Sequence, residues 1–315
     1  MLPLKYLFEN YDLARFALEN WAHDDDLAET LQWFRISSNA VYPYRCNGSL
    51  NFLRLSPVQE KCEGNLRAEL QHIVYLRAHG YPAMRAVPAH NGELRLTLHT
   101  EWGDYFACAF AGVPGEQIED TEHTPEVLHA YGAALGRLHA LSRGKTFGKQ
   151  THEDTLAWIE QQFQHHHAPQ SAFDASKTIC AALDALPRND DTYGPVHYDF
   201  EPDNVFYDAE NGTCHVIDFE DGMMHFYALD IEQALNELPA EEHKAFLEGY
   251  QTQFPYTEDT AAMRPLMRRF CDLYAYARLL HALAEIPEEQ PDWLLDLIPF
   301  LTNRRDQMLN NITTF

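Results

Sequence analysis

Residues 194–219 constrain this chain most. Between long stretches of helical period they read Gly194-Pro195-Val196-His197-Tyr198-Asp199-Phe200-Glu201-Pro202-Asp203-Asn204-Val205-Phe206-Tyr207, then Asp208 to Gly212, then Thr213-Cys214-His215-Val216-Ile217-Asp218-Phe219. Asn211-Gly212 is a turn signal between two short apolar runs. Antiparallel pairing of 204–207 with 213–218 would bring Asn204 and Asp218 together at the open end of a hairpin, with Asp199 on the loop that feeds it. Three oxygen-bearing groups then converge. Two suit a hard cation such as Mg2+, and the third can accept a proton from an attacking hydroxyl.

His197-x-Asp199-x-x-x-x-Asn204 followed by Ile217-Asp218-Phe219 resembles the catalytic segment of the aminoglycoside phosphotransferase and choline kinase family, which shares the protein-kinase-like fold. The resemblance implies that Asp199 is the catalytic base or hydroxyl-orienting group and that His197 braces its loop. It also implies that Asn204 and Asp218 hold the Mg2+ that bridges the phosphates of ATP or GTP. Asn51-Phe52-Leu53-Arg54-Leu55 resembles the strand whose basic residue touches the alpha and beta phosphates, and Glu69 matches the helix carboxylate that orients it. Arginine replaces the lysine of protein kinases; a guanidinium can fork two phosphate oxygens.

No Gly-x-Gly-x-x-Gly occurs near the start, so the phosphate loop is expected at Ser37-Ser38-Asn39, which read equally well as turn residues. Phe110 to Gly115 resembles the hinge that receives the adenine. Gly136-Arg137-Leu138-His139-Ala140-Leu141 resembles the helix end that packs under the catalytic loop in this family, which gives His139 a packing role. Phe226 to Asp230 resembles the segment after the metal aspartate, with Asp230 structural. Glu201 and Asp203 depart from the family, whose loops commonly carry histidine and glycine there. With Glu220 and Asp221 they could recruit an amine-bearing acceptor, although solvated loop charge is the expectation.

The rest of the chain supplies the frame. Residues 9–21 have helical spacing through Tyr11, Phe16, Leu18 and Trp21. Strand texture follows at 33–36, 40–44 and 50–55, then a helix over 63–79 with Leu66, Leu70, Ile73 and Val74 inward, then strands at 93–100 and 105–110. Gly112-Val113-Pro114-Gly115 breaks this pattern. Beyond it, helices are expected from Thr124-Pro125, at 152–164, 174–185, 226–237, 240–253, 259–284 and 291–310. Tyr274, Tyr276 and Arg278 recur at helical spacing and read as a core-facing stripe; His165-His166-His167 reads as a solvated helix end. The expected fold is α+β and bilobal: an N-terminal nucleotide-binding lobe over 1–111 with a small antiparallel sheet and one long helix, and a mainly helical lobe over 112–315 with the catalytic loop and acceptor site.

With 23 Lys and Arg against 48 Asp and Glu, the formal charge of -25 argues against a nucleic-acid or anionic-membrane surface and mildly favours a cationic partner. The six cysteines form no zinc or redox spacing. The first residues have no secretory h-region, and no apolar run approaches the roughly 20 residues of a bilayer span, so a cytoplasmic location is expected. The functional expectation is a Mg2+-dependent kinase of a small hydroxyl compound, such as an amino sugar, an amino alcohol or homoserine. The alternatives are a protein serine/threonine kinase of the same fold and a nucleotide-binding regulator without catalysis.

Overall fold

The computed structural model describes residues 1–287 and 291–314. The first half is built on a six-stranded antiparallel sheet: β1 (Arg35–Ile36), β2 (Ala40–Cys46), β3 (Ser49–Pro57), β4 (Arg85–Val87), β5 (Arg95–Thr100) and β6 (Gly103–Ala111). Strand β2 pairs with β3 and β3 with β6, whose far edge takes β5 along residues 103–108 and β4 along 109–111. The β2–β3 turn is Asn47-Gly48, both at positive φ (51° and 74°), the conformation a two-residue hairpin requires. Helices α1 (Tyr11–Leu18), α2 (Leu27–Thr30) and α3 (Glu63–Ala78) complete this half.

Strand period sorts the side chains of β3 and β6 between two cores. Leu53, Leu55, Ala107 and Ala109 face α1, burying Leu13, Ala14, Ala17, Leu18 and Trp21. Cys108 and Phe110 point the other way and join Leu70, Ile73 and Leu76 of α3 in the larger core, which continues through the helical half. Arg54, between Leu53 and Leu55, therefore faces α3. Val74, expected inward, is instead 50% exposed, and Phe16 of α1 is 40% exposed. Each lies off the packed stripe of its own helix.

The second half comprises α4 (Pro125–Ser142), α5 (His152–His165), α6 (Gln170–Asp184), α7 (Ala228–Asn236), α8 (His243–Gln251), α9 (Glu258–Ala282) and α10 (Asp292–Thr313). Helix α4 starts as its sequence predicts, Thr124 capping the amide of Val127 with Pro125 at the first helical position. Its crossing with α8 is unusually close. A Cβ on Gly132 would lie 1.8 Å from the carbonyl oxygen of Phe246, and one on Gly249 2.0 Å from that of His129. Any larger residue would push the helices apart.

Short strands of no legible period tie these helices together. β9 (Val205–Asp208) pairs with β10 (Thr213–Val216) and with β7 (Glu116–Gln117). β8 (Tyr193–Pro195) pairs with β11 (Met224–Phe226), which delays the start of α7 relative to the helix expected from 226. The N-terminal Leu2, Leu4 and Leu7 pack on Leu279, Leu294 and Leu301. No helix among the described residues is long and apolar enough to cross a membrane.

Candidate active site

The β9–β10 hairpin forms in the expected direction, with Val205 opposite Val216. The amide of Ile217 donates to the carbonyl of Asn204 at 3.0 Å, so Asn204 and the 217–218 backbone meet at the open end. The side-chain amide of Asn204 donates to both the carbonyl and the Oδ2 of Asp199 at 3.0 Å. That geometry engages the nitrogen of Asn204 and leaves its carbonyl oxygen as the group able to meet a cation. Asp218, just past β10, has a φ of 57°, and Tyr198, before Asp199, one of 71°. Two non-glycine residues in the left-handed region beside the converging acids mark a backbone held against its own preference.

What holds it is buried polar structure. His197 accepts the Asp199 amide on Nδ1 (3.3 Å) and donates from Nε2 to the carbonyl of Ile217 (2.9 Å), linking the loop to the far strand. Burial pushes its pKa down to about 4, so the ring is neutral and can both accept and donate. Asp230, fully buried near the start of α7, accepts the amides of His197 and Tyr198, each at 2.8 Å. His139 of α4 donates to the same carboxylate at 3.0 Å, and the Tyr250 hydroxyl lies 2.9 Å from its other ring nitrogen. Gly222 sits where a Cβ would come within 2.3 Å of the Lys149 ammonium and 2.8 Å of the Val196 carbonyl, so the chain beyond Asp218 passes there only as glycine.

The site is crowded with acid. Burial, then the neighbouring Glu201, Asp221 and Asp218, raise the Asp199 carboxyl well above its ordinary range. Asp218 is pushed up to about 7, first by burial and then by Glu220. Both shifts mean that the ionised acids are poorly solvated and feel more neighbouring acid than base. Among the described residues no three His, Cys, Asp or Glu gather to hold a metal unaided. A cation between Asn204 and Asp218 would complete its shell with phosphate and water oxygens, as a nucleotide-bound Mg2+ does.

Across the cleft, Arg54 and Glu69 form a forked pair at 2.8 and 2.6 Å, with side chains 6% and 0% exposed. Burial opposes the guanidinium charge, but Glu69 and Glu220 outweigh it and hold Arg54 well above its ordinary value. The Phe110 ring lies 4.9 Å beneath Arg54. Phe110 is thus part of the wall around this pair, buried on β6. Of Ser37, Ser38 and Asn39, in the turn between β1 and β2, Asn39 is buried: it accepts from Ser56 at 2.6 Å and donates to Glu220. Its side chain is not free for phosphate. Ser37 and Ser38 remain at the tip, and Ser38 accepts a 3.0 Å hydrogen bond from Arg278.

The acids after Asp218 are not the solvated loop charges that the sequence suggested. Glu220 pairs with Lys61 at 2.8 Å and Asp221 with Arg278 at 2.6 Å. Both pairs line a cavity of about 480 Å³ between the lead-in to α3 and helices α5 and α9. The stripe on α9 splits accordingly: Tyr276 is 3% exposed in the core, whereas Tyr274 and Arg278 line the cavity. Lys61 was not legible, because nothing in its spacing distinguishes it from a surface lysine. Arg278 was legible only as a charge within an aromatic stripe. A larger groove of about 730 Å³ between α4, α8 and the β9–β10 hairpin lies apart from these acids.

Comparison with known proteins converges on one family. The phosphotransferase enzyme family matches residues 51–266, more than half of the chain. The amicoumacin kinase of Bacillus subtilis is 20% identical over 229 residues, which cover 69% of this chain and 68% of that protein. The homoserine kinase of Caulobacter vibrioides is 26% identical over 218 residues, 64% of this chain and 65% of that one. Among solved structures, an amicoumacin kinase in complex with AMP-PNP, Ca2+ and Ami superposes with a TM-score of 0.77 at 19% identity, over 99% of this chain and 97% of that one. A microcompartment-associated aminopropanol kinase gives 0.71 at 19% identity, over 97% and 99%. The fold is therefore the bilobal protein-kinase-like one, a small sheet lobe over a mainly helical lobe. With this fold and a match that spans the Arg54 strand, the Glu69 helix and the β9–β10 hairpin, the chain belongs to the phosphotransferase enzyme family.

Proposed function

We propose that this protein is a Mg2+-dependent kinase that moves the γ-phosphoryl group of ATP or GTP to a hydroxyl of a small molecule. The observation that carries this reading is the Asn204–Asp199 hydrogen bond at the mouth of a hairpin whose other strand delivers Asp218. It sets a proton acceptor beside a pair of oxygen donors for a cation, the arrangement phosphoryl transfer uses. Asn204 and Asp218 would hold the metal, which when bound neutralises phosphate charge. Arg54, oriented by Glu69, would contact the nucleotide phosphates, with Ser37 and Ser38 above them. The expected hinge begins beside Phe110.

In the reaction the acceptor oxygen bonds to the γ-phosphorus as the bond to the β-bridging oxygen breaks, the nucleoside diphosphate leaves, and the hydroxyl proton passes to Asp199. A carboxyl whose pKa is raised by burial is better matched to that proton than an ordinary one. His197 and Asp230 hold the loop through buried hydrogen bonds. Homoserine and aminopropanol, acted on by two of the similar kinases, each carry an amine beside the hydroxyl, which supports an amine-bearing acceptor here. The test is acceptor-dependent nucleotide consumption across amino sugars, amino alcohols and hydroxy amino acids. Asp199→Asn should lower kcat about 10²- to 10⁴-fold with nucleotide binding retained. Unchanged turnover in that variant would remove the assignment.

A further inference from the structure

The acids that face the cavity beside the site are partnered, although the chain carries a formal charge of -25. Two ion pairs face the cavity, Lys61 with Glu220 at 2.8 Å and Arg278 with Asp221 at 2.6 Å, and the His281 ring meets Glu60 at 2.8 Å. Its aromatic side is Tyr274 and Trp158, whose rings meet edge to face at 5.7 Å. Glu220 and Asp221, two of the four acids that the sequence offered to a cationic acceptor, are therefore already paired. A plain ammonium entering at Asp221 would displace Arg278 and leave a half-buried guanidinium without its carboxylate, which is costly. A ligand bearing both charges exchanges partners pair for pair and leaves no charge alone.

The Arg278–Asp221 pair is the one tied electrostatically to Asp199. Arg278 also donates to Ser38 on the turn between β1 and β2. Both of its members act on the Asp199 carboxyl, Asp221 raising its pKa and Arg278 lowering it. Glu220, by contrast, is fixed by Asn39 as well as by Lys61. A volume of about 480 Å³ is at the small end of ligand sites and fits a metabolite with its water better than an oligosaccharide.

We infer that the acceptor is a small zwitterionic hydroxy compound of the hydroxy amino acid class, its ammonium taken by Asp221 and its carboxylate by the Arg278 guanidinium. This rests on the phosphotransfer reading above and narrows its acceptor. The Arg278 fork matches a carboxylate in two hydrogen bonds, and the Tyr274 ring lies 5.5 Å from the guanidinium, steadying its plane.

The experiment compares hydroxy amino acids with their decarboxylated partners: L-homoserine against 3-aminopropan-1-ol, L-threonine against 1-aminopropan-2-ol, and L-serine against ethanolamine. Within at least one pair the amino acid should exceed the amine in kcat/KM by about 100-fold. Arg278→Gln should collapse that ratio toward one, by loss of the amino acid, while Arg278→Lys keeps part of it. Asp221→Asn should weaken both members. Equal or preferred use of the amines overturns the inference and leaves phosphotransfer standing. An Arg278→Gln variant that loses both members equally assigns Arg278 to structure and also overturns it. Calorimetric titration with a non-hydrolysable ATP analogue present separates the two readings. Arg278-dependent binding of an amino acid without any transfer keeps the zwitterion site and removes the kinase. If none of the six is bound or turned over, the inference fails.

Discussion

Asp230 fixes the backbone of Tyr198: its Oδ1 accepts the Tyr198 amide at 2.8 Å, while that residue holds a φ of 71°. A non-glycine residue in this region costs about 1–3 kcal/mol. The other oxygen takes the His197 amide and the His139 ring, so one buried carboxylate satisfies three donors. The strain beside Asp199 is thus balanced from α7 and α4.

Asp230→Asn removes one acceptor and presents an NH2 group to a buried donor. Stability should fall by about 2–4 kcal/mol in urea unfolding. In the folded fraction kcat should drop about 10-fold or more with nucleotide KM little changed, since Asp230 is fully buried behind the loop. Faster hydrogen exchange at the amides of 197 and 198 would locate the effect. Exchange unchanged there would show that the loop holds its conformation without Asp230.

The Arg54–Glu69 pair separates stability from function. Removing one partner, as in Glu69→Leu, leaves a charge in a nearly dry site and should cost about 3–5 kcal/mol. The double variant Arg54→Met/Glu69→Leu should recover most of that stability, yet its nucleotide KM should stay raised, because no guanidinium reaches the phosphates. A double variant with normal nucleotide KM would make the pair purely structural.

The hairpin and the Arg54 strand were legible because their signals are local. Asn211-Gly212 sets one turn, Asn47-Gly48 another, and the alternation of Leu53, Arg54 and Leu55 puts the base on its own face. The spacing of His197, Asp199 and Asn204 was likewise read within one short segment. The strands β4, β7, β8 and β11 were not read, since two or three residues cannot show a period and their pairing is decided by distant partners. The same limit hid the state of the acids. Glu220 and Asp221 look like loop charges until the fold brings Lys61 from 159 and Arg278 from 57 positions away, differences no local pattern encodes.

Asp218→Asn tests the metal assignment and the site's crowding together. Asparagine adopts positive φ readily, so the backbone at 57° is kept. The variant also removes a carboxyl that burial and Glu220 push up to about 7, so above that pH it should be at least as stable as the parent. Magnesium-dependent nucleotide binding should be lost. A variant that keeps that dependence would remove Asp218 from the metal set.

Glu201 supplies a pH signature. Burial, then Glu237 and Asp203, push its carboxyl up from an ordinary 4.5 to about 7. Below pH 4.5 it is protonated in the folded and unfolded chain alike, so it costs nothing there. Between 4.5 and about 7 the folded state binds more protons, so stability falls as pH rises, and above about 7 the full cost of at most about 3 kcal/mol is present. Glu201→Gln should therefore be more stable than the parent at pH 8 and equal to it at pH 4, as read by urea midpoints. Glu201 is also the first neighbour, after burial, that raises Asp199. Its neutralisation should move the acid limb of kcat/KM to lower pH, with no metal ligand altered. A stability gain of the same size at both pH values, with the acid limb unmoved, would assign the effect to packing and leave Glu201 outside the electrostatics of the site.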